Sequence, residues 1–560
     1  MPQTPQSTSS APAGLFRGAA FASLGVAFSR VFGLVRETLF AVVFGASREY
    51  DAFLMAFRLP NLLRDLFAEG ALSQAFTKVF AQTAKTDGDD AAWRTANKVL
   101  TVMAILLTVV CALGMWGSDA LVGLLAPGFA AIPGKHDLTV QLATWMFPFI
   151  LLVALAAALM GMLNSKGRTG LPQAASAFFN MGSILAGLGT AAVLAPDYVL
   201  GGLALLWDRG AARAQDPDGA ARAMLGMAVG VLVGGALQLL VQVPALWKLG
   251  WRPRFDLDLK DARVREVFVL MGPAVLGAAA VQVNILINSN FASHLGDKPV
   301  SWLNYAFRFM QFPIGLFGVA IAAAALPIFA RATATKGAPD LPALRHAIKA
   351  SISLACLLCV PAAVGLFVLG EPLIGVIFEH GRFGADDTAA TNAALAAYSV
   401  GLTGYAAIKV LQPALLSLND ARSPMVVSIL SMGLNLGINW MLVRVYGFGH
   451  VGLAMTTSVS ALFNAVVLAF ILRWRAGGME GGALVWTLVR VGLAAAVMGA
   501  AVWGTRLGVE GMLERGFVRH VVSLGAGVVV GAVVFGVVAL VLRIPELQML
   551  VGAVRRRGRA

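Results

Sequence analysis

Long apolar runs, broken by short polar, charged or Gly/Pro-rich punctuation, set the pattern of the chain. Runs such as LTVMAILLTVVCALGMWG and LGAGVVVGAVVFGVVALVL are continuous rather than alternating. A helix of about 20 apolar residues crosses a bilayer, whereas a membrane barrel reads as alternating stretches of about ten. The pattern therefore predicts transmembrane helices near 17–44, 52–81, 98–124, 139–163, 172–195, 223–247 and 266–294. A further seven follow near 302–330, 350–369, 390–417, 425–444, 451–472, 483–504 and 519–542.

Composition agrees with an all-α polytopic membrane protein of about 14 transmembrane helices. The 560 residues are 58% hydrophobic and 13% charged, with a mean hydropathy of +0.78. Globular domains carry about 25% charged residues, and a soluble chain this apolar would expose aggregating patches. The net charge of +14 is carried beside apolar spans, which argues for membrane orientation and not for nucleic acid. Connections after even-numbered spans hold 17 Lys and Arg, against 9 after odd-numbered ones. Basic loops stay inside, so both termini are expected in the cytoplasm. Residues 1–16 lack Lys, Arg and an apolar core, and read as a disordered tail, not a signal peptide. Residues 546–560, with Arg555-Arg556-Arg557, read as a basic cytoplasmic tail. Cys111, Cys356 and Cys359 lie in apolar runs and predict no disulfide framework.

The chain contains an internal echo. A shift of 250 residues lays Ala56-Phe57-Arg58 on Ala306-Phe307-Arg308, and Leu66-Phe67 on Leu316-Phe317. A shift near 251 pairs Met181-Gly182 with Met432-Gly433. Two short basic loops also match, Leu163-Asn164…Arg168…Pro172 and Leu418-Asn419…Arg422…Pro424. Six spans separate the copies, so both units face the same way. Parallel repeats imply two bundles that rock about a central site. The predicted organisation is a six-helix lobe over 17–250, a second over 251–474, and two extra C-terminal helices over 475–545.

Charge inside the spans is the main functional signal. The first predicted span holds Arg30, Arg36 and Glu37; the second holds Asp51, Arg58, Arg64, Asp65 and Glu69; the eighth holds Arg308 and Gln311; the tenth holds Lys409. A charge at mid-bilayer costs roughly 2.5–3.5 kcal/mol on insertion scales, so such residues face a wet cavity or partners. Helical spacing puts Asp51, Arg58, Asp65 and Glu69 on one face, and Asn304, Arg308, Gln311 and Gly315 on another. Two readings compete: Arg/acid pairs that hold helices together, and a cationic cavity for an anionic cargo. Asp51 and Glu69 at span ends also fit snorkelling to the headgroups. Guanidinium forks suit phosphate, so a phosphate or diphosphate is the expected cargo. The polar stripe Gln282, Asn284, Asn288, Asn290 fits the same cavity, an ion site, or interhelical hydrogen bonds. No Walker loop, HExxH or Cys/His cluster stands in the sequence, which predicts a non-enzyme with no cofactor and no metal.

At FSRVFGLVRETLFAVVFG…DAFLMAFRLPNLLRDLFAEGALSQAF the chain resembles the MurJ (MviN) family of lipid II flippases, in the MOP exporter superfamily. FPFILLVALAAALMGMLN, MGPAVLGAAAVQ, SWLNYAFRFMQFPIGLFGVAIAAAALP and AAYSVGLTGYAAIKVLQPA extend the similarity to about residue 475. The resemblance implies fourteen helices, with two lobes around a cationic cavity. It implies export of undecaprenyl-diphosphate-linked disaccharide-pentapeptide across the bacterial inner membrane for peptidoglycan synthesis. The family's cavity arginines map onto Arg30, Arg36, Arg64 and Arg308 as substrate-binding residues, and its acidic residue onto Asp51. Asp51, Glu69 and Gln311 are the gating candidates. Phe307 and Gln311 stand where acidic residues flank the arginine in many members. The last two helices are implied to hold the lipid tail. Membrane potential or an ion gradient is the expected drive, with lipid II, membrane lipids and cell-wall synthesis proteins as partners of a monomer. A flippase for another polyprenyl-linked glycan, a polyprenyl-diphosphate enzyme and a division scaffold remain the alternatives.

Overall fold

The computed structural model describes residues 11–64, 72–206, 217–334, 340–478 and 480–547, and among these there is no strand. The first helix, α1 (Ala11–Phe44), opens inside the stretch read as a tail; residues 1–10, Asp65, Glu69 and 548–560 lie outside the described residues. The helices then run α2 (Arg48–Arg64), α3 (Leu72–Thr86), α4 (Asp89–Trp116), α5 (Ser118–Leu125), α6 (Lys135–Met146) and α7 (Phe149–Ser165). After these come α8 (Gly170–Leu194), α9 (Pro196–Ala204), α10 (Pro217–Leu240), α11 (Val243–Lys248) and α12 (Ala262–Ser293). The remainder comprises α13 (Pro299–Pro313), α14 (Val319–Thr333), α15 (Leu341–Ile377), α16 (Ala385–Ser417), α17 (Arg422–Asn439), α18 (Gly449–Arg475), α19 (Gly481–Met512) and α20 (Phe517–Val541).

Every predicted span falls on one of these helices or on two in succession. Eleven spans are long and apolar enough to cross a membrane on those grounds alone. The other three, α1, α2 with α3, and α12, carry charged or polar positions. Interruptions follow local chemistry. Pro148 separates α6 from α7, because proline lacks the amide donor and crowds the preceding turn. A π-helical turn at Ile314–Gly318 separates α13 from α14 just after Pro313.

The chain forms two compact units, and the first ends at Lys298. It therefore includes α12, which packs on α3, α4 and α5 although the sequence repeat assigns it to the second half. In this unit α8 and α10 meet through small residues. A methyl group on Gly230 would stand 2.5 Å from Gly187 Cα, so only glycine permits that approach. In the second unit α16 and α18 meet similarly at Gly401, where a Cβ would stand 2.6 Å from Ser458 Cα. Its apolar core gathers Phe329, Leu344, Ile348, Leu411, Leu415 and Leu468. The helices α19 and α20 pack on each other and on α15.

The two basic loops that match in the sequence close in the same way. After α7, Gly167 adopts φ 72° and the Arg168 amide donates to Leu163 O at 2.9 Å. After α16, Asn419 adopts φ 58° and the Asp420 amide donates to Leu415 O at 3.0 Å. Both helices close with one left-handed residue and a six-to-one hydrogen bond, the Schellman arrangement.

Candidate functional site

In the first unit the charges of α1 and α2 have separate surroundings. Arg30 is exposed. Arg36 is 9% exposed and donates from Nη2 to Glu37 Oε1 at 2.8 Å. Glu37 Oε2 accepts the Tyr50 hydroxyl at 3.0 Å. The Arg36 guanidinium also lies 5.5 Å from the Phe179 ring centroid and 5.8 Å from that of Phe40. This environment fixes the fork and neutralises it, while Nε remains buried without a hydrogen-bond partner among the described residues. A buried charge is tolerated only when it is paired and hydrogen-bonded. Tyr50 comes from α2 and Phe179 from α8, the helix on which α1 packs, so both hold the Arg36 group.

Along α2 itself, Asp51 is fully buried. Its Oδ2 accepts Lys135 Nζ at 3.1 Å and the Lys298 amide at 2.8 Å. Lys135, also fully buried, further donates to Gly296 O at 3.1 Å and Asp297 Oδ1 at 2.9 Å, and its Nζ lies 4.2 Å from the Phe129 centroid. Asp51 thus ties the start of α6 and the 296–298 turn to α2, and it does not snorkel. Halfway along, Arg58 donates to Ser289 Oγ of α12. Arg64 closes the helix, half-buried. The sequence left Lys135, Tyr50 and Ser289 unmarked, since their partners come from distant parts of the chain.

In the second unit α13 presents the expected polar stripe. Arg308 and Gln311 are exposed, Asn304 and Gly315 half-buried. The opposite face is apolar: Tyr305 packs tilted on Phe378 and edge-on to Phe383 at centroid distances of 4.7 and 5.3 Å, and Phe309 packs tilted on Phe378 at 5.3 Å. Phe307, where many relatives are expected to be acidic, packs on Tyr398 at 5.5 Å. Trp302 Nε1 donates to Asp387 Oδ1 at 3.0 Å. Lys409 on α16 is exposed near Gly318.

Elsewhere in that unit, Arg506 on α19 donates to Glu371 and Glu510, which fastens α19 to the end of α15. Glu379 accepts the Thr388 hydroxyl at 2.7 Å and lies 3.6 Å from His520 Nε2 of α20. Burial raises the Glu379 pKa, but His520 and Thr388 outweigh it and hold the carboxyl below its ordinary value of 4.5. Among the described residues no three His, Cys, Asp or Glu side chains stand together as a metal site.

Comparison with known proteins assigns the family. The profile described as "Lipid II flippase MurJ" matches residues 40–522. The chain belongs to the MurJ family. It is 34% identical over 465 residues to Lipid II flippase MurJ of Burkholderia cenocepacia, covering 82% of this chain and 84% of that protein. It is also 34% identical over 489 residues to the probable lipid II flippase MurJ of Rhizobium meliloti, covering 86% and 85%. A solved MurJ in an inward closed conformation aligns with TM-score 0.72 at 20% identity, over 93% of this chain and 99% of that one. A multidrug resistance MATE transporter of the MOP superfamily aligns at 0.63 and 16% identity, covering 81% and 96%. The latter two likenesses bear on the fold alone. MurJ-family membership accounts for a multi-span helical protein without a catalytic constellation.

Proposed function

We propose that this protein moves lipid II from the cytoplasmic to the periplasmic leaflet of the bacterial inner membrane. The observation that carries the reading is membership of the MurJ family over residues 40–522. The chemistry of the residues supports it. Arg30 and Arg308 are exposed guanidinium groups on helices otherwise built for a membrane, and such groups suit the diphosphate of the cargo. Arg36 is held in place by Glu37 and Tyr50 and is a largely buried member of the substrate-binding set. Arg64 completes the substrate-binding set. Gln311, one turn beyond Arg308, tunes that contact without adding charge. Asp51 acts in gating through its tie to Lys135 and the 296–298 turn, and Glu69 is the second acidic gating candidate.

Alternating access of two bundles is the mechanism the parallel repeat supports. The membrane potential supplies a drive of the right sign. Each negative charge leaving a negative interior gains about 2.3 kcal/mol per 100 mV, so a diphosphate with two charges gains roughly 4–5 kcal/mol. An ion gradient is the other available source. The α19–α20 pair, most of whose α20 span is exposed, offers a groove for the polyprenyl tail. The protein works as a monomer with both termini cytoplasmic, beside the enzymes that make and consume lipid II.

Precursor sidedness tests the reading. In depleted cells, lipid II cleavable by an external lipid II-degrading toxin is expected to collapse while total precursor rises. Wild-type protein restores it and Arg308→Ala does not. If the precursor stays cleavable after depletion, the protein serves another lipid-linked cargo or is not a transporter.

A further inference from the structure

A recess of about 840 Å³ in the first unit takes no part in the transport reading above. It is lined by Gly25 and Phe28 of α1, Arg168 and Leu171 at the turn into α8, and Lys248 and Leu249 at the end of α11. Its surface is amphiphilic. Phe28 is 51% exposed, and Leu171 and Leu249 are half-buried. Arg168 and Lys248 are exposed, and neither side chain has an ion-pair or hydrogen-bond partner among the described residues. Lys166, two residues before Arg168, is by contrast engaged by Asp89.

The turn that carries Arg168 is held in one conformation. Gly167 takes φ 72°, and the Arg168 amide is fixed to Leu163 O. α8 begins two residues later and runs for 25 residues, so its first amides add a favourable field for an anion. The recess lies at the end of the unit whose loops are rich in Lys and Arg, the end expected at the cytoplasmic leaflet. Basic pockets between transmembrane helices on that side suit acidic lipid headgroups.

We propose that this recess binds an anionic glycerophospholipid of the cytoplasmic leaflet. The phosphate sits between Arg168 and Lys248, and the acyl chains run over Phe28, Leu171 and Leu249. A free phosphate would leave the apolar walls unused. A zwitterionic lipid would bring its own cation against the two basic groups. A lipid held there bridges α1, which bears Arg30 and Arg36, to α8 and α11. The recess thus gives membrane composition a handle on a helix used in transport, and none of its residues belongs to the proposed cargo set.

The test uses the full-length protein in detergent, titrated with dioleoylphosphatidylglycerol and read by native mass spectrometry. Dioleoylphosphatidylcholine, soluble glycerol phosphate and undecaprenyl diphosphate serve as separate arms. Arg168→Ala with Lys248→Ala is expected to weaken phosphatidylglycerol about thirtyfold, at about fivefold for each basic residue, with an unchanged thermal midpoint. Arg168→Lys with Lys248→Arg, which keeps both charges, is expected to retain binding within about threefold. Phosphatidylglycerol bound equally by the double alanine variant overturns the proposal. So does equal wild-type affinity for phosphatidylcholine, or for glycerol phosphate. A loss of undecaprenyl diphosphate binding larger than that of phosphatidylglycerol in the same variant reassigns the recess to the cargo.

Discussion

The helices α2 and α13 carry the same tripeptide, Ala-Phe-Arg, at 56–58 and 306–308, yet its arginine stands in different surroundings in each. α2 joins buried charge to its ring contacts at Tyr50, Phe53 and Phe57: Asp51 stands in a buried group with Lys135 and Asp297, and Arg58 is tied to Ser289. α13 is held by aromatic packing of Tyr305 and Phe309 on Phe378 and Phe383. Its arginine, Arg308, is exposed. The difference teaches that a repeated motif does not carry a repeated duty. Arg58 ties α2 to α12 through Ser289, whereas Arg308 lies on the exposed polar stripe of α13.

The largest expected effect comes from breaking the α2 anchor. Lys135→Met leaves Asp51 buried without its cation, which should cost about 3–5 kcal/mol of stability. Thermal unfolding in detergent is the measurement, and Asp51→Asn added to Lys135→Met should recover much of the loss. An unchanged midpoint in the single variant would mean that Asp51 is not held by this pair.

Next come the two arginines. Arg308→Ala should lower lipid II affinity by about 10- to 100-fold, the worth of one charged hydrogen-bonded contact of about 1.5–3 kcal/mol, with the thermal midpoint retained. Arg58→Ala should do the reverse, lowering the midpoint and sparing affinity. If both variants behave alike, the contrast between the helices fails.

Tyr50→Phe probes the Arg36 group more gently. It removes the hydroxyl that holds Glu37 and should cost about 1 kcal/mol. Because Glu37 then has more freedom on Arg36, cargo affinity should also fall about threefold. Equal affinity in this variant would detach Tyr50 from the cargo site.

The smallest effect is a pH dependence at the seat of α13. Glu379 adjoins Phe378, and its carboxyl titrates below the ordinary 4.5. A depressed folded pKa means stability is present above the unfolded value and is lost as pH falls through the folded one. The thermal midpoint should therefore drop below about pH 4.5, and Glu379→Gln should lose less across that window. The difference should stay under about 1 kcal/mol, because the carboxyl is only half-buried.

Much of this architecture was legible in the order of the residues. A bilayer sets a similar length and hydropathy for each apolar span, so the eleven spans apolar enough to cross it could be read from apolar runs alone. The matched loops at Leu163–Arg168 and Leu418–Arg422 share one backbone closure, a closure that also follows α11, α18 and α20. The stripe of Asn304, Arg308 and Gln311 followed from helical spacing and reappears as the open face of α13.

What the linear order left undecided was the fate of each charge. Asp51, read as a residue that snorkels or gates, is fully buried by a lysine 84 positions away. Arg36, read as one of several equivalent phosphate ligands, is neutralised by its own neighbour Glu37, with Tyr50 closing the group from α2. The pattern of apolar and polar positions determines which segments enter the membrane, because burial energy is a sum over local composition. Pairing between ions depends on distances of a few ångströms between segments far apart in the chain, and only the packed helices decide those.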